Sequence, residues 1–442
     1  MERKKKKGLS LLNLVAIAAG QVIGAGVVTY VGPAIAVTGI SAWLAYGVSV
    51  FMGFLSIIPF IFLSSALVLQ GGEYSIIERM LGAKFAGFYI VAYIAQCLGI
   101  SVMGLSLGTY LNYIFPAIDK RIIALLALTF FLLMNLRGVS VMAKLQTVLT
   151  AVLVGSLLVF TAYGLTYVGP QATDFTSADF ITDGFKGFAS AVALYAFSTY
   201  GQYMVVNFGK DAANPKRDIP LAIIIASGII LVVYVGIALV QTGILPISET
   251  AGKPLTVVAE AILPAPLMVL FIIGGPLMAL ATTINSFYSA RSNPLLRATR
   301  DGWFPEFFGK VNGNKVPYIL MGMIWMIGVV PILLNMSINK ITNNVVLVAY
   351  LLRMVIAIAT LRLPTLYKKQ WEESFIHLPD PVFYVVTMVA IIAQFYMVYL
   401  SAKSMSPFMI LCCVGFVAFC VVYAYFRYKS GLIHIESVKD FQ

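Results

Sequence analysis

Residues 14–28 read LVAIAAGQVIGAGVV. No charge interrupts this apolar stretch, yet Gly24-Ala25-Gly26 falls at about membrane depth. A glycine costs about 1 kcal/mol relative to alanine inside a helix. A segment that only had to cross a bilayer would not carry that tripeptide. Unwound backbone survives in lipid only where protein buries it or where it lines a cavity. The tripeptide therefore predicts a helix broken at mid-membrane, with the N–H groups of its second half aimed at a guest. Helix N-termini attract anions, and a small carboxylate suits that donor set. The stretch points to transport of a substrate held by backbone.

The rest of the chain supports a membrane setting. Of 442 residues, 60% are hydrophobic and 11% charged, whereas soluble domains carry about 25% charged residues. One water-soluble core is excluded, and the class expected is an all-α integral membrane protein. Cys97, Cys412, Cys413 and Cys420 all lie in apolar spans without metal-ligand spacing. No metal and no cofactor is expected. His377 and His434 fall in polar loop and tail. The spans offer almost no acid, histidine or cysteine constellation, which argues against an enzyme, and no Walker A loop is present for an ATP-driven pump. The basic start, Met1–Gly8, lacks the pattern of a secretory signal peptide.

Apolar runs long enough to span occur at about 11–36, 41–66, 84–115, 122–138, 143–166, 184–207, 219–243, 266–297, 317–336, 343–362, 381–400 and 406–427. That reading gives twelve transmembrane helices. The third and eighth runs are long and are expected to tilt. Residues 253–263 are too short to span and read as an interfacial helix.

The net charge is +12, but no basic face alternates with stacking aromatics, so nucleic acid is not an expected partner. With the N-terminus inside, 22 of the 30 Lys and Arg fall in inner segments and 6 in outer ones. That asymmetry places both termini in the cytoplasm. Arg291 and Arg353 remain within spans. Arg353 is costly in lipid and should face the interior, as a gate residue or as the partner of a carbonyl or acid.

A second interruption, Ser198–Gly201, lies five spans after the first. Five is odd, so the second block of five begins on the opposite side of the membrane. This predicts an inverted repeat. The division expected is a basic tail over 1–10, a first repeat over 11–166 and an outer loop over 167–183. A second repeat over 184–362, two further helices with their preceding loop over 363–427, and a tail over 428–442 follow.

Three motifs carry a resemblance. They are Gln21-Val22-Ile23-Gly24-Ala25-Gly26-Val27; Phe197-Ser198-Thr199-Tyr200-Gly201 with Asn214-Pro215-Lys216-Arg217-Asp218-Ile219-Pro220; and Ser292 through Pro305 with Arg300-Asp301-Gly302. In this order they resemble the amino acid–polyamine–organocation transporter superfamily, which has the LeuT-like fold. The likeness covers nearly the whole chain and is nearest to the amino acid permeases and exchangers. It implies helices 1 and 6 broken at mid-membrane in a five-plus-five inverted repeat, with two C-terminal helices added.

It also implies a site. The N–H groups of Ala25 and Gly26, beside Gly24, would hold a substrate carboxylate. The carbonyls of Val22, Phe197, Ser198 and Tyr200 would hold its ammonium. Phe197 matches an aromatic that lids the site, and Phe287 a second pocket aromatic. Gln96, Ile100 and Met103 match pocket positions on the third span. None of these is charged, which suits a small or medium neutral L-amino acid. Many relatives place a lysine beside the first break from the fifth span. Here Thr150-Ala151-Val152-Leu153-Val154-Gly155 carries no charge, which leaves exchange, with proton or sodium coupling as alternatives. A sodium site from first-span carbonyls and the hydroxyls of Thr282 or Thr283 is conceivable. Glu73 reads as a gating or structural residue.

Taken singly, the glycine pair fits close helix packing equally well, and Phe197 and Phe287 fit an ordinary core. The paired interruption favours the break. A membrane amino acid sensor of the same fold is the alternative from another class. The location expected is a cell membrane, bacterial, with lipid as partner and a homodimer left open.

Overall fold

A computed structural model describes residues 8–24, 26, 30–196, 198–336, 338–403 and 405–435. Ala25 and Phe197 lie outside the described residues. Among those described, the molecule is helical and an isolated bridge between Leu9 and Ala212 is its one β-type pairing.

The chain runs through α1 (Leu11–Val22), α2 (Val31–Thr38) and α3 (Ala42–Ala66). Next come α4 (Gly72–Leu81), α5 (Ala83–Tyr93), α6 (Gly99–Ile114), α7 (Lys120–Leu136) and α8 (Val139–Leu165). After the loop that follows α8 come α9 (Gly184–Ala196), a 3-10 segment (Gln202–Phe208) and α10 (Pro215–Gly243). The remaining principal helices are α11 (Ala265–Ile272), α12 (Met278–Arg300), α13 (Tyr318–Leu333), α14 (Ile338–Thr360), α15 (Asp380–Lys403) and α16 (Pro407–Lys429). Seven stretches among the described residues are long and apolar enough to cross a membrane, and Leu11–Val22, Tyr318–Leu333 and Leu347–Thr360 are shorter apolar helices.

The distribution of side chains is that of a protein solvated by lipid. Leu126, Val148 and Phe395 point outward with about two thirds of their surface exposed, while Asn135, Gln146 and Asn285 are fully buried. Hydrocarbon outside offers those amides no hydrogen bonds, so they turn inward to one another.

The third and eighth runs are not simply long. A 3-10 stretch, Ile94–Leu98, joins α5 to α6, and a π-helical turn, Ile273–Leu277, holds Pro276 between α11 and α12. Just before that turn, Ser156 on α8 donates to the carbonyl of Leu270 at 3.0 Å. The 253–263 piece forms a short helix, Thr256–Ile262, that packs inward with Leu255, Val258 and Ala259 buried. Gly32 of α2 is pressed so closely against Lys253 that no side chain fits between them. Residues 215–218 form the first turn of α10 rather than a loop, with Pro215 just inside the helix start, where its absent N–H costs nothing.

Candidate functional site

α1 packs against α8, α10 and α12 and against the 3-10 segment Gln202–Phe208. It ends where Gly24 N–H turns back onto the Val22 carbonyl at 2.7 Å. Helical hydrogen bonding resumes with Tyr30 N–H donating to the Gly26 carbonyl at 3.1 Å. The second interruption follows α9. Both the N–H and the hydroxyl of Ser198 donate to the Tyr195 carbonyl at 2.9 Å, and the Thr199 hydroxyl donates to that of Ala196 at 3.1 Å. Such hydroxyl-to-backbone bonds compete with the helical ladder and help to end α9.

The two interruptions meet. A Cβ on Gly26 would lie 2.7 Å from Ser198 Cβ, and one on Gly201 would lie 2.9 Å from the Gln21 carbonyl oxygen. Only glycine lets the backbones approach so far. Three tyrosines from two helices and α9 brace the crossing. Tyr46 stacks on Tyr195 with ring centres 3.7 Å apart and lies 4.7 Å from Tyr234. The Tyr46 hydroxyl shares a hydrogen bond with Ser198 at 3.1 Å, and the Tyr234 hydroxyl donates to the Val22 carbonyl at 3.0 Å. That carbonyl therefore accepts two hydrogen bonds from the protein itself, from Gly24 N–H and from the Tyr234 hydroxyl.

Val22, Gly24, Gly26, Ser198 and Tyr200 thus gather at one place. Phe287 follows Ser286, whose hydroxyl accepts from Gln21 Nε2 at 2.6 Å, which ties α12 to the first break. Gln96 is buried within the 3-10 stretch, and its Oε1 has no hydrogen-bond partner among the described residues. Ile100 packs toward α13, against Gly328, and Met103 is half-buried on α6. The 3-10 stretch breaks the α-helical register that would align Gln96 with Ile100.

From α8, the side chains that reach α1 are neutral. Gln146 Nε2 and Thr150 Oγ1 donate to the Ala16 carbonyl at 3.4 and 3.0 Å, and Thr283 donates to that of Gly20 at 3.0 Å. Asn285 donates to Gln146 Oε1 at 2.8 Å, Asn135 to the Asn285 carbonyl at 2.8 Å, and Ser289 to Asn135 at 2.7 Å. Tyr46, Tyr234, Gln146 and Asn285 were not singled out by sequence reasoning. The two amides left a signal, being polar residues in apolar runs; the tyrosines left none in a chain with 23 of them.

Two buried arginines lie beside the second interruption. The Arg353 guanidinium carbon sits 3.9 Å from the Tyr200 ring centre, 4.5 Å from Tyr350 and 5.5 Å from Tyr203. Arg291 lies 5.0 Å from the Tyr93 ring and 5.3 Å from Phe287. Glu73 is fully buried, its Oε2 accepting from the Tyr89 hydroxyl at 2.8 Å and its Oε1 from Asn207 Nδ2 at 3.0 Å. Asn207 Oδ1 also accepts Glu73 N–H at 2.9 Å, which ties α4 to the segment after the second break. Outside the spans, burial and the nearby charge of Asp301 push the Glu78 carboxyl from its ordinary 4.5 to about 7.

The family model described as amino acid permease matches residues 9–424. The chain belongs to that family. Among its relatives, this permease is 25% identical over 351 residues to the methylthioribose transporter of Bacillus subtilis, covering 73% of each chain. It is 23% identical over 366 residues to the branched-chain amino acid permease BcaP of the same organism, covering 76% of this chain and 75% of the relative. It is also 24% identical over 328 residues to the cadaverine/lysine antiporter of Escherichia coli, covering 70% and 71%. The permease is accordingly a multi-pass membrane protein and a transporter of amino acids or related compounds rather than an enzyme.

Proposed function

We propose that this permease is a secondary active transporter of small or medium neutral L-amino acids, working by alternating access and by exchange of one amino acid for another. The observation that carries this reading is the crossing of the two interruptions at Gly26–Ser198 and Gly201–Gln21. The backbone N–H groups at Ala25 and Gly26 would hold the substrate carboxylate. The carbonyls of Val22, Phe197, Ser198 and Tyr200 would hold its ammonium, as broken helix ends do for zwitterions. Gln96, Ile100, Met103, Phe197 and Phe287 complete the pocket in this reading, Phe197 as its outer lid. Their neutrality supports a neutral side chain, and the neutral Gln146 and Thr150 at α1 support exchange without a proton on α8. Twelve spans in a five-plus-five inverted repeat with two added helices, and both termini in a bacterial cytoplasm, complete the reading.

The relatives handle methylthioribose, branched-chain amino acids, or cadaverine and lysine, so family membership leaves the substrate to experiment. Purified protein in liposomes should take up labelled alanine, serine or leucine only when the vesicles already hold unlabelled amino acid. Uptake that is equal into empty vesicles, or that needs a sodium or proton gradient, would replace exchange by symport. Saturable binding with no flux would favour a membrane sensor.

A further inference from the structure

Arg353 is almost fully buried, with 2% of its surface exposed. Its Nε donates to the Ala349 carbonyl at 3.2 Å, one turn earlier on the same helix, and its Nη1 has no hydrogen-bond acceptor among the described residues. The ion pairs of the described residues join Arg121 to Asp119, Arg297 to Asp301 and Lys368 to Glu372; none involves Arg353. The buried carboxylate nearest in kind, Glu73, has both oxygens taken by Tyr89 and Asn207. Burying a guanidinium without an anion is costly in protein and more so in a membrane.

Three aromatic faces offset part of that cost, since a cation is attracted to ring faces within about 6 Å. The rings at Tyr200, Tyr203 and Tyr350 all meet this distance. Ring faces do not accept the in-plane N–H groups of a guanidinium, which form a fork fitted to a carboxylate or another compact anion. Arg291 of α12 adds a second buried cation, packed against the 3-10 segment Gln202–Phe208. Its Nη2 rests on Met204 Sδ at 3.8 Å, and among the described residues its Nε and Nη1 have no acceptor. Tyr200, which covers Arg353, precedes Gly201, which touches the first break. The uncompensated charge therefore stands one side chain away from the crossing.

We propose that Arg353 binds a compact monoanion under the second helix break, either a carboxylate on the side chain of a transported amino acid or a free halide held beside a neutral one. That a substrate sits at the crossing rests on the transport reading above; the anion site does not depend on flux. Charge-assisted hydrogen bonds are the strong ones, and losing one weakens binding by about tenfold to a hundredfold.

The test is thermal melting of the purified full-length protein in gluconate, a bulky anion, at constant ionic strength. Chloride is titrated in one arm. In the other, L-glutamate is compared with L-glutamine. Saturable stabilisation by chloride assigns a free anion. Stabilisation by glutamate but not glutamine assigns the substrate's own side chain and turns the neutral specificity above into an acidic one. In either case Arg353→Gln should weaken the response at least tenfold, and Arg353→Lys should keep part of it. Should Arg353→Gln not fold, the wild-type titration and Arg353→Lys still decide. Absence of both responses in the wild type overturns the proposal, as does a response unchanged in Arg353→Gln. Anion binding without amino acid flux in liposomes would sink the transport reading alone.

Discussion

Gly26→Ala is the smallest change that tests whether the crossing of the two breaks matters. Gly26 lies outside the left-handed region, so alanine costs no backbone strain there. The added Cβ would stand 2.7 Å from Ser198 Cβ and 3.1 Å from Tyr30 Cε2. Carbon atoms prefer about 3.5–4.0 Å, so the breaks must separate by about 1 Å while the ring of Tyr30 can turn. Overpacking of this size costs about 1–3 kcal/mol. Charged entirely to the state that holds substrate, it lowers apparent affinity by about 5- to 150-fold. Ser198→Gly removes the atom that is struck. The double variant should therefore recover most of the loss, with a coupling energy of about 0.5–3 kcal/mol and a sign opposite to the Gly26→Ala effect. Binding of the amino acid found active in exchange, measured at equilibrium on detergent-purified protein, reads all four corners. Ser198→Gly also loses a bond to Tyr46, which the cycle subtracts. Wild-type affinity in Gly26→Ala, or strict additivity with Ser198→Gly, would refute the contact as the cause.

Two other outcomes concern carboxyls of α4. Glu78 has a folded pKa raised to about 7 by burial and by Asp301, so its protonated form favours the fold. That contribution is complete below about pH 4.5 and disappears as pH rises through 7. The melting temperature should fall across that window, and Glu78→Gln should flatten the slope; an unchanged slope would show that another group titrates. Asn207 holds Glu73 through two hydrogen bonds. Asn207→Ala leaves a buried carboxylate short of a donor and should cost about 1–3 kcal/mol. A melting temperature equal to wild type would contradict this.

Much of the architecture was legible because hydropathy and backbone propensity are local. Runs of about 20 apolar residues marked the stretches able to cross a membrane, seven of which are long and apolar enough among the described residues, and the interruptions at Gly24 and at Ser198–Gly201 follow from glycine and from hydroxyls that compete with the ladder. The same reading marked the amino acid permease family. Irregularity inside long runs was less legible. The 3-10 turn at Ile94–Leu98 and the π turn around Pro276 were read as tilt, since length alone does not distinguish the two.

The placement of Arg353 was beyond the sequence, which required only that the charge avoid lipid. Packing set it under Tyr200, 3.9 Å from the ring centre and across 153 positions of chain. The Glu73–Asn207 pair joins residues 134 apart, and Ile100 packs against Gly328, far along the chain. By itself, the sequence determined which stretches are apolar enough to cross a membrane and where its first and sixth runs are interrupted, because neighbours along the chain govern those choices. Only the tertiary structure decided which buried groups meet, because partners far apart in sequence are selected by shape and by the need of each buried polar atom for another.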